Sequence, residues 1–322
     1  MTTEIRDLID KLNYYRDAYY NKNTSLISDH EYDSLFDQLV EWETKTGLIY
    51  ADSPTQSVGY ESVSQLKKVE HDHPLLSLAK TTNINEFVQH FEGLPTVYMA
   101  KMDGLTCSIR YENGVLVRAE SRGNGAIGED ITHNARVFSN LPKKIPFTDT
   151  LIVDGECIIG YDEFQKINER EHTEYKHPRN LASGTVRQFD SKIGAARHVK
   201  FVAWKLHQGD ERAAKSYITA FRFLGSLGFT VVPYCGLETK DVGEVEQAIN
   251  NIREQCEENH YPIDGIVGAF NSVEYGLSLG MTSHHPKHSY AFKFYQDDNE
   301  TILRDIEWNV TRTGAVNPVA VF

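Results

Sequence analysis

The stretch Tyr98-Met99-Ala100-Lys101-Met102-Asp103-Gly104 runs from an apolar, strand-like segment through one lysine to a tight turn. Strand-forming residues resume after the turn, at 106–111. The pattern predicts that the Lys101 ammonium points from the end of a rigid strand into a cleft. In a cleft of low polarity an amine can lose its proton and attack phosphorus. A solvated lysine before a turn is the other interpretation, and these residues alone do not separate the two.

Short strands dominate the chain that surrounds this lysine. Strands expected at 106–111 and 115–120 flank Asn113-Gly114, a pair typical of the type I′ turn of a β-hairpin. Helical patterns alternate with further strands, the helices at 161–171, 214–227 and 241–258 and the strands at 151–153, 156–159, 199–204, 230–234, 263–270 and 290–295. Hairpins with helices inserted between them predict an α+β fold with antiparallel sheets.

The first 59 residues carry a helical pattern instead. Apolar residues recur at helical spacing between residues 4 and 20, and Ser28-Asp29-His30-Glu31 is typical of a capping box that opens a second helix. A loop rich in Ser, Pro and Gly follows at 51–59. We therefore predict a small helical module at residues 1–59 and a main α+β domain at residues 60–322.

The helical module has more tyrosines than a two-helix core needs. The surplus consists of Tyr14, Tyr15, Tyr19, Tyr20 and Tyr32. Asp29 and Asp33 lie one helical turn apart beside Tyr32. One interpretation is structural: the rings cover a small core, and the acids are stabilised by the helix dipole. The other is a stacking pocket for a flat cationic ring. The module by itself leaves both interpretations open.

Composition and charge exclude several classes of protein. The 322 residues are 40% hydrophobic and 25% charged, which is typical of a folded chain of about two domains. No apolar run approaches the roughly 18 residues of a membrane span, and the acidic N-terminus is unlike a signal peptide, so we expect a cytoplasmic protein without a membrane partner. The net charge of -13 argues against strong autonomous binding to DNA.

The four cysteines give no structural framework. Cys107, Cys157, Cys235 and Cys256 lie far apart, without a Cys-x-x-Cys pair. Neither a zinc site nor a set of disulfides is indicated. We expect reduced thiols in the core, and the cysteines do not form a metal site.

Several candidate site residues accompany Lys101. Arg122 lies in a glycine-rich loop, where the backbone can approach a ligand while the guanidinium binds an oxyanion. Arg179 and Arg187 provide two more guanidinium groups, which are suited to binding phosphates. Glu156 is a carboxylate that can accept a ribose hydroxyl, and Trp204 offers an aromatic face. Asp264 is a metal-binding carboxylate, and Lys293 is a second cation. Together these residues predict a site that attacks a phosphoanhydride.

Motifs along the whole chain identify the family that this site resembles. The chain resembles the NAD-dependent DNA ligases of bacteria and some phages in Ser28-Asp29-x-Glu31-Tyr32-Asp33, Asp52-Ser53-Pro54-Thr55-Gln56, His73-Pro74-Leu75-Leu76-Ser77-Leu78, Lys101-Met102-Asp103-Gly104, Arg122-Gly123-x-Gly125-x-x-Gly128-Glu129-Asp130, Pro178-Arg179-Asn180, Arg187-Gln188, Ile263-Asp264-Gly265, Phe292-Lys293-Phe294 and Arg312-Thr313-Gly314. In that family the helical module belongs only to the NAD-dependent branch. The resemblance implies a nucleotidyltransferase (ligase adenylation) fold for the main domain.

The resemblance also implies a reaction with NAD and Mg²⁺ as cofactors. Lys101 would attack the α-phosphorus of NAD, form lysyl-AMP and release nicotinamide mononucleotide, and the AMP would then pass to the 5′-phosphate of nicked DNA. The implied catalytic residues are Lys101, Asp103, Glu156, Asp264 and Lys293. The implied cofactor-binding residues are Ser77, Leu78, Lys101, Arg122, Glu156, Trp204 and Lys293, with Tyr19, Tyr20, Asp29, Tyr32 and Asp33 for the nicotinamide mononucleotide half. Arg179 and Arg187 would meet the DNA phosphate or the leaving nucleotide.

The chain departs from the family pattern at the base pocket. Met99 stands where the family usually has a glutamate, Ala269 where it has a lysine, and Cys256 where it has an arginine. In the family the first two side chains read the edge of adenine. Losing both together predicts a remodelled pocket, because one alone would be left as a buried unpaired group. A catalytically weakened NAD-binding or scaffold subunit is therefore the alternative function.

The sequence is also compared with the family's later domains. We expect no oligonucleotide-binding barrel, zinc module, helix-hairpin-helix repeats or BRCT domain in this sequence. Binding of nicked double-stranded DNA by the chain alone should be weak, and a C-terminal ligase subunit is an expected partner. Whether the chain is an excised fragment or a natural subunit, its bacterial or phage origin and its oligomeric state stay open at this point.

Overall fold

The computed structural model describes residues 2–22, 35, 38–39, 41–43, 45–46, 48, 50, 53, 55, 66–173, 175–282, 285–294, 303–310 and 316–321. Their helices are α1 (Thr2–Lys22), α2 (Ile84–His90), α3 (Thr132–Ala135), α4 (Tyr161–Glu171), α5 (Pro178–Val186), α6 (Ser191–Ala196), α7 (Tyr217–Ser226), α8 (Val242–Glu258) and α9 (Val273–Ser278). Among these described residues, none of the helices has both the length and the apolar character that a membrane span requires.

The strands form two larger sheets and two small ones. They are β1 (Lys68–Glu70), β2 (Ala79–Thr81), β3 (Thr96–Met102), β4 (Leu105–Glu112), β5 (Val115–Ser121), β6 (Ile127–Glu129), β7 (Leu151–Ile158), β8 (Lys200–Gln208), β9 (Tyr234–Leu237), β10 (Ile263–Phe270), β11 (Ser289–Lys293), β12 (Asp305–Val310) and β13 (Val316–Val321). One sheet has the order β2-β11-β10-β3-β9 and the other the order β5-β4-β7-β8. Every pairing in them is antiparallel except that of β11 with β2. The expected α+β class is confirmed.

Two hydrophobic cores fix the relation between the two large sheets. One core packs the four-stranded sheet against α3, α4, α5 and α7. The other packs the five-stranded sheet against α2, α7 and α8. Because α7 contributes to both cores, the sheets lie side by side and leave a cleft between them. Three cysteines are buried and Cys235 is half-buried, all with free thiols.

Local sequence signals explain most element boundaries. Asn113 and Gly114 both have positive φ, 51° and 77°, as the type I′ hairpin between β4 and β5 requires. The helix predicted at 214–227 is present, but its predicted first residue is wrong. Ser216 is extended there, and its side chain accepts a hydrogen bond from the Thr219 amide, so α7 begins at Tyr217 after a separate short 3₁₀ turn.

Two strand expectations also need correction. The segments expected at 151–153 and 156–159 form the single strand β7, which stays paired with β4 and β8 through Asp154 and Gly155. The strand expected at 230–234 begins only at Tyr234, and Val231 makes one isolated bridge to Ala203. In both cases pairing with a distant strand set the boundary.

The first helix packs on the hairpin of the main domain. Ile9 and Leu12 of α1 are fully buried in a small cluster with Leu39 and Tyr50, and Val115 of β5 belongs to the same cluster. Lys144 also lies 3.1 Å from Asp10 of the helix. The predicted helix at 4–20 is therefore confirmed as α1, and it is attached to the outer side of the β4–β5 hairpin.

Candidate active site

Lys101 lies at the end of β3, on the face of the five-stranded sheet that looks into the cleft. Its Nζ donates to both carboxylate oxygens of Asp264, at 2.8 and 3.0 Å. Lys293 of β11 places its Nζ 3.1 Å from the same carboxylate. Burial works to raise the pKa of Asp264, but the hydrogen bonds and charges of the two lysines outweigh burial and lower it. One ionised carboxylate therefore holds two ammonium groups together.

Strand register explains why these three residues meet. In the antiparallel pair of β3 and β10, Lys101 lies opposite Gly265, and Gly265 in turn lies opposite Lys293 of β11. Asp264 sits at an irregularity in this register, between Ile263 and Gly265. A Cβ on Gly265 would lie 2.2 Å from the Phe292 carbonyl oxygen, so the close approach of the strands requires glycine at this position.

A cavity of about 340 Å³ opens next to Lys101, between the two large sheets. Eight of the residues that the sequence nominated contribute to its wall: Ser77, Leu78, Lys101, Arg122, Glu156, Arg179, Trp204 and Lys293. The cavity is large enough for a nucleoside monophosphate, since small-molecule sites begin at about 300 Å³. The structure thus brings the nominated cation, carboxylate, aromatic ring and arginines to one place.

Other nominated residues take different positions. Asp103 pairs with Arg179 at 3.0 Å and so reaches the cavity only through that arginine. Arg187 is not part of the cavity wall and pairs with Glu129 at 3.0 Å instead. Tyr19 and Tyr20 belong to α1, but their side chains lie outside the described residues, as do Asp29, Tyr32 and Asp33.

Glu156 projects from β7 into the cavity and is almost fully buried. The Thr106 hydroxyl on the neighbouring strand β4 donates to it at 3.0 Å. Burial raises the pKa of Glu156 from its ordinary value of 4.5 to about 7, although the hydrogen bond from Thr106 and the charges of Lys101 and Arg179 act in the opposite direction. A carboxyl group in this state can accept or donate a hydrogen bond near neutral pH.

The glycine-rich loop holds Arg122 against the segment that forms one wall of the cavity. Arg122 Nε donates to the Leu75 carbonyl at 3.0 Å, and the Leu75 amide donates to the Gly125 carbonyl at 2.9 Å. Gly123 and Gly125 both have positive φ, 53° and 94°, which favours glycine. A Cβ on Gly123 would also lie 2.0 Å from the Ile127 carbonyl oxygen, so this turn needs glycine for space as well.

The strand face that carries Lys101 also brings apolar side chains to the cavity. Met99 lies opposite Val267, so both side chains share the cavity face of the sheet with Lys101. Ala269 lies opposite Ser289 and is fully buried. Met99 therefore lines the cavity, whereas Ala269 is buried on the same face of the sheet outside the cavity wall.

Seven polar residues of the wall were not nominated from the sequence: Lys80, Thr106, Asp154, Lys205, Tyr217, His288 and Ser289. Burial and then the charge of Lys205 lower the pKa of His288 to about 4, so this ring is neutral at physiological pH. Position beside Trp204 was the only local signal for Lys205. His288 immediately precedes and Ser289 begins β11, the strand that carries the nominated Lys293, whereas no local signal indicated Tyr217.

Comparison with known proteins agrees with this geometry. Residues 63–297 match the model of the NAD-dependent DNA ligase adenylation domain. The chain belongs to that family. Residues 1–59 match the model of the DNA ligase-like, N-terminal NAD+-binding domain. The family that the sequence motifs indicated is confirmed.

Relatives of this chain align with it along almost its whole length. A DNA ligase of Lachnoclostridium phytofermentans is 40% identical over 99% of this chain, and one of Ruminiclostridium cellulolyticum is 39% identical over 99%. The chain spans about half of each relative, 49%. Among solved structures, mycobacterial DNA ligase D complexed with ATP and MES matches with a TM-score of 0.39 and 15% identity, over 70% of this chain and 60% of that one.

Proposed function

We propose that this chain performs the first step of NAD-dependent DNA ligation, in which it transfers AMP from NAD to its own lysine. The observation that carries the proposal is the position of Lys101, whose Nζ lies at the wall of a 340 Å³ cavity that Glu156, Trp204 and Lys293 also line. In this reaction the Lys101 Nζ forms a bond to the α-phosphorus of NAD and loses its proton. The bond from that phosphorus to the bridging oxygen breaks, and nicotinamide mononucleotide leaves with the electron pair.

The residues around Lys101 have separate roles in this step. Asp264 orients the amine through its two hydrogen bonds, and Lys293 neutralises charge on the phosphate. Glu156 accepts a ribose hydroxyl, and Trp204 provides an aromatic face for the base. Arg122 lies at the ribose and phosphate side of the cavity, with Ser77 and Leu78 of the same wall.

Mg²⁺ fits this site as an ion that arrives with the substrate. Magnesium is usually held by one or two carboxylates, waters and substrate phosphates. Lysines already hold the carboxylate of Asp264, and Arg179 holds that of Asp103, whereas Glu156 has only the Thr106 hydroxyl among the hydrogen bonds of the described residues. Because Glu156 takes the ribose hydroxyl, the phosphates of NAD and water would hold the ion. When bound, it supplies positive charge against the developing charge on the phosphate.

Residues 1–59 serve as the module that selects NAD, with the main domain at 60–322. Tyr19, Tyr20 and Tyr32 would stack on the nicotinamide ring, beside the carboxylates of Asp29 and Asp33. Those carboxylates would repel the polyanionic leaving group of ATP. The match of residues 1–59 to an NAD+-binding domain supports this assignment. Deletion of residues 1–59 should abolish loading from NAD, and a truncated chain that still loads would refute it.

Nick sealing would need more than this chain. The relatives are about twice as long, and the net charge of -13 leaves few phosphate contacts. Arg179 and Arg187 would meet the 5′-phosphate of nicked DNA in the cytoplasm once a C-terminal ligase part is present. Sealing assays with and without a supplied C-terminal part test this, and robust sealing by the chain alone would contradict it.

The apolar base pocket gives this enzyme a weak preference for adenine. Met99 and Ala269 cannot form hydrogen bonds with the purine edge, and stacking on Trp204 accepts any purine. Loading rates with NAD and with its hypoxanthine and guanine analogues measure the preference. Restoring the family's residues with Met99→Glu and Ala269→Lys should increase it. A strong preference for adenine in both proteins would place base selection in other groups of the pocket.

Intact-mass spectrometry tests the proposed step directly. With NAD and Mg²⁺ the chain should gain the mass of one AMP, and Lys101→Ala should abolish the gain. Lys240→Ala, which removes an exposed lysine, is the matched control and should load normally. An adduct that survives Lys101→Ala would move the nucleophile elsewhere. NAD binding without any adduct would favour the second candidate, a scaffold subunit in which the changes at Met99, Ala269 and Cys256 have ended catalysis.

A further inference from the structure

Two histidines and an aspartate form a compact cluster at the edge of the cleft. His73, Asp154 and His207 each offer one ligand atom, and these three atoms lie within 4.8 Å of one another. His73 Nε2 lies 2.8 and 3.0 Å from the two Asp154 oxygens. The rings of His73 and His207 are stacked, with centroids 3.4 Å apart and planes 13° apart. No role in the adenylation step uses this cluster.

The fold positions the three residues from separate parts of the chain. Asp154 is in the middle of β7 and lies opposite Lys205 of β8. His207 is two residues after Lys205 in β8, on the same face of the sheet. His73 comes from the segment that leads to β2. That segment includes Leu75, whose carbonyl accepts the hydrogen bond from Arg122.

Burial makes the cluster unusual. The Asp154 side chain is 1% exposed and the His73 side chain 9%. Among the described residues the Asp154 carboxylate has no arginine or lysine within ion-pair distance, and its ion-pair partner there is His73. The other ring nitrogen of His73, Nδ1, is also buried, and no hydrogen-bond partner for it is present among the described residues. The His73 Nε2 that faces Asp154 and the unpartnered Nδ1 lie on opposite edges of the ring, so the cluster itself offers Nε2 and a buried carboxylate.

We propose that His73, Asp154 and His207 bind a divalent transition metal of the zinc type. Two imidazoles and one carboxylate form a mixed nitrogen and oxygen set that suits zinc and does not suit magnesium, which prefers oxygen ligands. Ligand atoms of a tetrahedral zinc ion lie about 3.3 Å apart, given bonds of about 2.0 Å. The three atoms, all within 4.8 Å of one another, would reach this geometry once the His73–Asp154 contact opens and the two rings tilt out of their stack.

The metal would support the wall of the nucleotide cavity. It would join the segment that contains Leu75 to β7 and β8, and Asp154 itself lines the cavity. Its three protein ligands leave one coordination position for water. This site does not depend on the proposed loading of Lys101, because it is built from residues that take no part in that step.

Zinc titration of the full chain tests the proposal. Isothermal calorimetry with Zn²⁺ in a non-chelating buffer should show one site of micromolar or tighter Kd, with a thermal unfolding temperature that rises by a few degrees at saturation. His207→Phe keeps an aromatic ring for stacking and removes both nitrogens, and Asp154→Asn keeps the shape and removes the charge. Each variant should lower the affinity for Zn²⁺ at least tenfold, since each removes one of three ligands.

A matched control separates this cluster from adventitious binding. His198 pairs with Glu163 at 3.2 Å on the surface, so it is another histidine beside a carboxylate. His198 has a φ of 48°, a conformation that asparagine tolerates, and His198→Asn should retain the affinity of the unchanged chain. Equal affinities in the unchanged chain, His207→Phe and Asp154→Asn, or no binding by the unchanged chain, would overturn the proposal.

A second measurement needs no variant and guards against misfolding. Diethylpyrocarbonate modifies accessible imidazoles, and peptide mass spectrometry reports each histidine separately. Zn²⁺ should protect His207 at least tenfold while the modification of His198 is unchanged. Modification of His207 at the same rate with and without Zn²⁺ would refute the site, whatever the behaviour of the variants. Both measurements are made without NAD, so their outcome is independent of the test on Lys101.

Discussion

Replacing Glu156 with glutamine should change how the stability of the chain depends on pH. The carboxyl is buried beside Thr106, and burial raises its pKa from 4.5 to about 7. In the unfolded chain the same group ionises near 4.5. Between these two values the folded state binds a proton that the unfolded state has lost, so the free energy of unfolding falls as pH rises through this window. Below about 4.5 and above about 7 the effect of this group is constant.

The size of the effect follows from the two pKa values. One pKa unit corresponds to about 1.4 kcal/mol, so the rise from 4.5 to about 7 amounts to about 3 kcal/mol. Glutamine is nearly isosteric, accepts the hydrogen bond from Thr106 and does not ionise. We therefore expect Glu156→Gln to gain about 3 kcal/mol relative to the unchanged chain between pH 4.5 and pH 8.

Urea unfolding of both proteins at several pH values measures this difference. Other titrating groups are common to both chains and cancel in the comparison. Glu258→Gln removes an exposed carboxylate and is the control, with a difference that should stay nearly constant with pH. If the curves for Glu156→Gln and the unchanged chain run parallel from pH 4.5 to 8, Glu156 does not carry the raised pKa, and the reasoning from burial is wrong.

Three further substitutions test particular contacts. Asp264→Asn removes the counter-charge of two lysines, and we expect a loss of about 2 kcal/mol in urea unfolding and at least tenfold slower AMP loading by mass spectrometry. Gly104→Ala would place a Cβ 2.2 Å from the Cys157 carbonyl oxygen and should cost about 3 kcal/mol, whereas Gly225→Ala, with nothing within 4 Å, should be neutral or slightly stabilising. Ser216→Ala removes the N-cap of α7 and should cost about 1 kcal/mol in the same assay.

The sequence predicted elements well where local signals set them. The Asn113-Gly114 turn, the helix at 161–171 and the long helix at 241–258 depend on turn chemistry and periodicity, and all three are present. Boundaries failed where a distant partner decides them. β7 runs through Asp154 and Gly155 because β4 and β8 both continue past them, and no pattern within 151–159 carries that information.

The candidate site shows the same division. Motifs nominated Lys101 and Asp264, but their contact joins residues 163 positions apart and depends on the register of β3 and β10. His73 and Asp154 are separated by 81 positions, and neither belongs to a pattern that indicates a metal. The sequence shows which residue types could serve in a site. Which of them come together in space depends on how the strands pair in the sheets.

The carboxylate shared by Lys101 and Lys293 has a consequence for the state of the enzyme after loading. Conversion of Lys101 to a phosphoramidate would remove its positive charge, and Asp264 would then keep Lys293 as its only lysine partner of the two. The loaded and unloaded proteins would therefore differ in electrostatics as well as in covalent structure. The two cations of the unloaded site attract the anionic dinucleotide. The loaded site has one cation fewer, so it would attract a second dinucleotide more weakly.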